Sequence, residues 1–130
     1  MKRGREEEFD ENEIKRFMNA CCDGDVKQVQ YFIRRGFDVN LKHELKFTAL
    51  HYAAAEGHVD VAKVLIQNGA DVNAVNEGDE TPLYNAASKG HFDIAKLLTQ
   101  NGANLHAAGK DKWTALHYAA YNGHVDIAKV

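Results

Sequence analysis

The chain has 130 residues, of which 45% are hydrophobic and 27% charged, and a formal net charge of −3. This composition is that of one globular domain, and its slight negative charge argues against nucleic acid as a partner. No apolar run reaches the roughly 20 residues of a membrane-spanning helix, and no secretory signal follows the initial methionine. The two cysteines, Cys21 and Cys22, are neighbours whose disulfide would be strained, which favours a reducing compartment, the cytoplasm or the nucleus.

The chain opens with a run of charges and then a helical pattern. Residues 1–9 carry three basic and three acidic side chains with little apolar surface to bury, so we expect a disordered charged tail. Asp10 and Glu13 have the spacing of an N-terminal capping box. Two apolar stripes at helical spacing follow, separated by Gly24 and ended by Gly36, which predicts a pair of helices.

A segment that begins with threonine then recurs at a constant spacing. Residues 48–58 return as 81–91 and again as 114–124, 33 residues apart each time. The glycines of the first helix pair obey the same period, so that pair is a diverged copy. A fixed period of this length is typical of stacked repeats. We predict a repeat domain over residues 10–130, with units at about 10–42, 43–75, 76–108 and 109–130, the last one truncated.

Each unit has the signals of two short helices. Thr48 is a competent N-cap, and Pro82 follows the equivalent Thr81 at the first helical position, where its missing N–H has no consequence. Alanines allow this helix to lie close to its neighbours, and Gly57 ends it. The second helix has an acid such as Asp60 in its first turn, where the helix dipole favours negative charge.

These residues together resemble the ankyrin repeat family. The resemblance is carried by Thr81-Pro82-Leu83, Leu50-His51, Ala53-Ala54, Gly57-His58, Leu97-Leu98 and Gly69-Ala70-Asp71-Val72-Asn73. It implies an all-α solenoid of about three and a half to four helix–turn–helix units, each with a short β-hairpin finger. It also implies a concave surface of finger tips and first helices that binds other proteins, with no catalytic activity and no cofactor.

The histidines and acids suggest a metal site or a catalytic site, but the repeat pattern accounts for these residues better. His51 and His58 repeat their spacing at His117 and His124, but two ligands do not make a metal site. We interpret them as structural residues at the two helix starts. Asp60 and its equivalents lie one repeat apart, about 10 Å, which is unsuited to paired acid–base catalysis. We therefore expect no metal site and no enzyme in these residues.

The variable residues beside the repeated segment are the candidate binding positions. Phe47, Glu80 and Trp113 each precede a threonine, and large aromatic residues at such positions often carry interface energy. The alternative is that each ring covers the neighbouring finger. Lys46, Asp79 and Lys112 share the turn position where the family has glycine. The predicted partner-binding residues are Leu45, Phe47, Glu77, Glu80, Lys110, Trp113 and Tyr121.

Two functional hypotheses remain open at this stage. The first is a binding module for another protein, without nucleic acid or membrane partners, with self-association through the uncapped C-terminal end as an additional option. The second is a targeting or regulatory arm of a larger enzyme, channel or ligase adaptor that continues beyond residue 130. The resemblance also implies that Asn73 could be hydroxylated, since similar loops with a leucine eight residues upstream, here Leu65, carry that modification.

Overall fold

The structure, a computed structural model, describes residues 9–110, 112–115 and 117 and consists of successive antiparallel helix pairs. A short 3₁₀ turn at Glu44–Lys46 lies between the first two pairs. The six helices in chain order are α1 (Glu11–Asp23), α2 (Val26–Arg34), α3 (Ala49–Glu56), α4 (Val59–Gln67), α5 (Pro82–Lys89) and α6 (Phe92–Gln100). The predicted all-α repeat architecture is confirmed.

The helix starts follow the capping signals of the sequence. The Asp10 carboxylate accepts the Glu13 N–H at 2.8 Å, and the Glu13 carboxylate accepts the Asp10 N–H at 3.1 Å. Thr48 and Thr81 are the N-caps of α3 and α5, and Pro82 occupies the first position of α5. These contacts satisfy N–H groups that a helix start leaves without intrahelical partners. The predicted capping box and N-caps are confirmed.

The core lies between two layers of helices. The first helices of the pairs, α1, α3 and α5, pack on one another more closely than the second helices, α2, α4 and α6. Fully buried alanines such as Ala53 and Ala86 permit the close approach. A stack that is tighter on one side curves toward that side, so the first helices line its concave face.

Aromatic residues close the N-terminal end of the stack. Phe9, placed in the tail by its sequence, has its ring 4.9 Å from that of Phe37 and 6.0 Å from that of Phe32. The Phe17 ring stacks on Phe37 at 4.0 Å. The packed part of the chain therefore includes Phe9, while residues 1–8 of the predicted tail lie outside the described residues.

Tight loops replace the expected β-hairpins. We call residues 43–47, 76–80 and 109–113 fingers 1, 2 and 3, where residue 111 of finger 3 lies outside the described residues. In each finger the first N–H donates a hydrogen bond to the last carbonyl, at 2.8, 3.2 and 2.9 Å. In the described residues the only bridge of β type joins Ala108 and Thr114. The expectation of hairpin strands is therefore corrected: a five-residue loop with one closing bond is too short for a ladder.

Side-chain hydrogen bonds replace that ladder in finger 2. The Asn76 carboxamide oxygen accepts the N–H groups of Gly78 and Glu80 at 2.9 and 3.0 Å. Backbone N–H groups that would otherwise donate to a neighbouring strand thus find their acceptor within the loop.

The start of the fourth unit has the same threonine–histidine contact as the second unit. The His117 Nδ1 accepts the Thr114 N–H at 2.9 Å, and Ala115 is buried. Residues 118–130, including Tyr121 and His124, lie outside the described part of the chain. The unit boundaries given above stay a prediction.

A histidine–glycine contact sets the distance between successive units. The His58 Nε2–H donates to the Cys22 carbonyl at 2.7 Å, and the His91 Nε2–H donates to the Ala55 carbonyl at 3.0 Å. A Cβ on Gly57 would lie 2.7 Å from the His91 ring. Glycine is thus required at this helix end both by its left-handed φ of +81° and by the ring against it.

Gly57→Ala is expected to lower the free energy of unfolding by about 2–3 kcal/mol. The left-handed backbone contributes about 1–2 kcal/mol, and displacement of the His91 ring adds the loss of a hydrogen bond of about 1 kcal/mol. Gly69→Ala is the matched control, since Gly69 has a φ of +91° with nothing within 4 Å of the added Cβ. Urea unfolding of both variants measures the difference, and equal losses would contradict the role given to His91.

Candidate functional site: the concave face

Neighbouring fingers are joined by single backbone hydrogen bonds. The Glu77 N–H donates to the Leu45 carbonyl at 3.0 Å, and the Lys110 N–H donates to the Gly78 carbonyl at 2.9 Å. The structure thus brings together two of the predicted binding residues, Leu45 and Glu77, on adjacent fingers. With the exposed sides of α1, α3 and α5, the three fingers form what we call the concave face.

His51 attaches finger 2 to α3. Its Nδ1 accepts the Thr48 N–H at 3.1 Å, and its Nε2–H donates to the Glu80 carbonyl at 2.8 Å. An Nδ1 that accepts a backbone N–H cannot carry a proton, so the ring is neutral. Burial of this fully enclosed ring lowers its pKa below the ordinary value of 6.5. The predicted role of His51 in orienting the helix start is confirmed.

Leu45 is the most exposed of the large apolar residues described. Its side chain is 64% accessible at the tip of finger 1. Leu45 and Lys46 have φ values of 55° and 63°, and the Phe47 N–H donates to the Glu44 carbonyl at 3.1 Å across them. Two consecutive positive φ values define a type I′ turn, which favours Asn-Gly.

This turn places leucine and lysine in a conformation that costs each roughly 1–2 kcal/mol. Gly78, which occupies the place of Leu45 in finger 2, does not have a positive φ. Finger 1 therefore bears backbone strain at the residue where it exposes an apolar side chain.

The residues that precede the threonines pack on their own helices. The Phe47 ring stacks on Tyr52 at 5.2 Å with an interplanar angle of 23°, and it lies 5.5 Å from the His51 ring. The Glu80 carboxylate accepts hydrogen bonds from Asn76 at 2.9 Å and Asn85 at 3.4 Å. Residues 47 and 80 thus each contact the residue five positions later.

Those contacts limit how much of each side chain a partner could reach. Phe47 and Glu80 are half-buried, as is Trp113, whose ring lies 5.9 Å from that of His117. Glu77 and Lys110 are exposed. Tyr121 lies outside the described residues, so its predicted role stays a prediction.

A groove between α1 and finger 1 was missed by the sequence analysis. Met18, Asn19 and Cys22 from α1 line it with Tyr52 from α3 and with finger 1, and it encloses about 240 Å³. The 33-residue period could have revealed it, because Cys22 is equivalent to Ala55 at the end of a first helix. Tyr121, one of the predicted binding residues, occupies the same position in the fourth unit.

Asn73 joins two successive units. Its side-chain Nδ2 donates to the Gly102 carbonyl at 3.1 Å, and its Oδ1 accepts the Asn104 N–H at 2.8 Å. Asn40 makes the same two contacts with Gly69 and Asp71, at 2.9 and 2.7 Å. This geometry gives Asn73 a structural role, and its hydroxylation stays a prediction that intact-mass measurement of protein from the native host would check.

Two negative observations concern the described residues. Within residues 9–110, 112–115 and 117, no group of three histidine, cysteine or carboxylate side chains is arranged to hold a metal ion. In the same part of the chain, no helix has the length and apolar character needed to cross a bilayer.

Comparison with known families agrees with the repeat architecture. A family model described as ankyrin repeats, in three copies, matches residues 17–108 and 75–130. None of the curated proteins compared matches the chain. Repeats of this family are generally protein–protein interaction modules and are typically not enzymes.

The pKa of His51 leads to a prediction on pH. Because burial lowers the pKa of His51 in the folded state, the unfolded chain binds more protons below about pH 6.5, and stability is lost as the pH falls below that value. His51 contributes at most about 1.4 kcal/mol per pH unit to the slope of the free energy of unfolding against pH. His51→Gln should remove this part of the pH dependence while lowering stability at pH 7.5 by about 1–3 kcal/mol.

Chemical denaturation between pH 5 and 7.5 measures both effects. His106→Gln is the control, because the side chain of His106 is exposed. If the wild-type protein and the His51→Gln variant lose stability in parallel as the pH falls, His51 is not the source of this pH dependence.

Proposed function

The chain belongs to the ankyrin-repeat family, and on that premise we propose that it binds another protein in the cytoplasm or nucleus through its concave face. The contact surface would combine the tips of the fingers with the exposed sides of α1, α3 and α5. Leu45, Glu77 and Lys110 would make direct contacts, because their side chains are exposed on this face. Phe47 and Trp113 would contribute the accessible parts of their half-buried rings.

The conformation of Leu45 is the observation that carries this proposal. A leucine that is 64% exposed gains little from its own fold, and its left-handed backbone opposes folding. Strained backbone in proteins is concentrated at binding and catalytic positions, where the surrounding structure holds it in place. An apolar side chain presented at a finger tip has the chemistry of an interface anchor.

The backbone hydrogen bonds at the finger support the same role. The Leu45 carbonyl accepts the Glu77 N–H, and the flanking His43 N–H donates to the Phe47 carbonyl. These bonds hold the tip on both sides, so the leucine is positioned before a partner arrives. A pre-positioned anchor loses less conformational entropy on binding.

Leu45→Gly tests the proposal by separating binding from stability. Glycine removes the apolar side chain and relieves the positive-φ strain, so the free energy of unfolding should stay unchanged or rise by up to about 1 kcal/mol. Capture of partner proteins from an extract of the source cells should fall about tenfold. The two measurements are urea unfolding and quantitative affinity capture with the immobilised full chain.

Tyr31→Ala is the matched control on α2, because Tyr31 is also an exposed large apolar residue at 42% accessibility. It lies on an outer helix, away from the fingers, so captured proteins should be unaffected. Unchanged capture by Leu45→Gly, or an equal loss with Tyr31→Ala, would overturn the concave-face proposal.

A further inference from the structure

The groove between α1 and finger 1, which we call the N-terminal groove, arises where the first unit departs from the others. α1 begins at Glu11, whereas the position equivalent to the start of α3 is Arg16. The additional helical turn lies beside finger 1, and the His43 Nε2 is 2.7 Å from a Glu11 carboxylate oxygen. Finger 1 is thus flanked by a helix on one side and by finger 2 on the other, and the groove lies on the helical side.

The size and lining of the groove fit one inserted side chain. Its volume of about 240 Å³ is below the range of roughly 300–1,000 Å³ that is typical of small-molecule sites. Met18, Cys22 and Tyr52 are the lining residues with mainly apolar side chains, and Asn19 and Lys15 complete the α1 side. This is a setting for an apolar side chain of a polypeptide.

The charges around the groove are mainly negative. Glu44 lines it directly. Glu56 lies four residues after the lining residue Tyr52, on the same face of α3, and Asp23 directly follows the lining residue Cys22 at the end of α1. Lys15 balances Glu44 in the lining itself, and Lys46 of finger 1 lines the opposite side, toward finger 2, so Glu56 and Asp23 make the surroundings of the groove negative. A partner carrying carboxylates would be repelled here, and one carrying Lys or Arg would be attracted.

The aromatic pair next to the groove favours the same kind of partner. Tyr52 lines the groove, and the half-buried Phe47 stacks on it at 5.2 Å. Aromatic faces attract Lys and Arg side chains by cation–π interaction. In the next unit the residue equivalent to Tyr52 is Asn85, and its amide is hydrogen-bonded to Glu80. The corresponding place in the third unit therefore lacks this aromatic surface.

We propose that the N-terminal groove binds a basic segment of the partner protein, which inserts one apolar side chain between Met18 and Tyr52 and places flanking Lys or Arg residues beside Glu44 and Glu56. This inference rests on the proposed protein-binding function and names the chemistry of the partner. The inserted side chain provides the apolar contact, and the two carboxylates select the sequence around it.

A library of random peptides displayed on phage, selected against the full chain, provides the probe. Enriched peptides should share an apolar residue flanked by Lys or Arg. Their affinity, measured by fluorescence polarisation, should fall about tenfold in the double variant Glu44→Gln/Glu56→Gln, and this difference should shrink as salt is added. Asn19→Trp, a change at an exposed residue that fills the groove, should also weaken binding about tenfold or more.

The control is Asp60→Asn/Asp93→Asn, which makes the same change in net charge on the outer helices α4 and α6 and should leave affinity unchanged. Circular dichroism establishes that each variant is folded. The inference would be overturned if the enriched peptides were acidic. It would also be overturned if none of the groove variants changed their affinity.

The same peptides separate failure of the groove from failure of the proposed function. Peptides that lose affinity with Leu45→Gly but not with the groove variants would leave the concave-face proposal standing and overturn the groove inference. Peptides that bind independently of Leu45 and of the groove variants, or the absence of any enriched peptide, would count against both.

Discussion

The contact between a histidine of one unit and a glycine of the unit before it determines how this chain stacks. His58 and His91 each donate a hydrogen bond to a carbonyl at the end of the preceding first helix, at 2.7 and 3.0 Å. The rings lie where a side chain on Gly24 or Gly57 would be. Because neither helix pair can bury its apolar face alone, this spacing decides which surfaces meet. The distance between fingers, and hence their backbone hydrogen bonds, follows from it.

The repeated residues thereby make the contacts that hold the units together, and the proposed binding role falls to the residues between them. Asn40 and Asn73 use both ends of their amides between units, and His51 uses both ring nitrogens. The backbone of Leu45 joins two fingers, but its side chain is 64% accessible. The exposure and the strained backbone of Leu45 support the proposal that finger 1 is a binding part of the concave face.

Much of the scaffold could be predicted from the sequence because local chemistry determines it. The Asp10 capping box, the threonine N-caps and the left-handed glycines each depend on residues within one turn of a helix, and each is observed. The 33-residue period supplied the architecture. Predictions that depend on contacts between distant segments were less complete. The sequence did not show that Phe9 would pack on Phe37, or that Asn76 would satisfy the finger donors in place of a hairpin.

In the candidate site, too, side-chain contacts could not be predicted from the sequence. The position of Leu45 beside the repeated segment predicts a candidate binding residue, and its side chain is exposed. The stacking of Phe47 on Tyr52 and the hydrogen bonds of Glu80 to two asparagines could not be predicted, because they depend on side-chain directions that the period does not encode. The N-terminal groove depends on the additional turn of α1 lying beside finger 1, a contact between residues 32 positions apart.

The central claim is that partners bind the concave face at finger 1 and the adjoining first helices. Amide chemical-shift mapping by NMR, with a selected peptide titrated into the full chain, tests it most directly. The account predicts that the largest changes lie at residues 43–47, along the groove side of α1 and around Tyr52. Changes concentrated in α2, α4 and α6 would place the binding surface on the opposite side of the stack and contradict it.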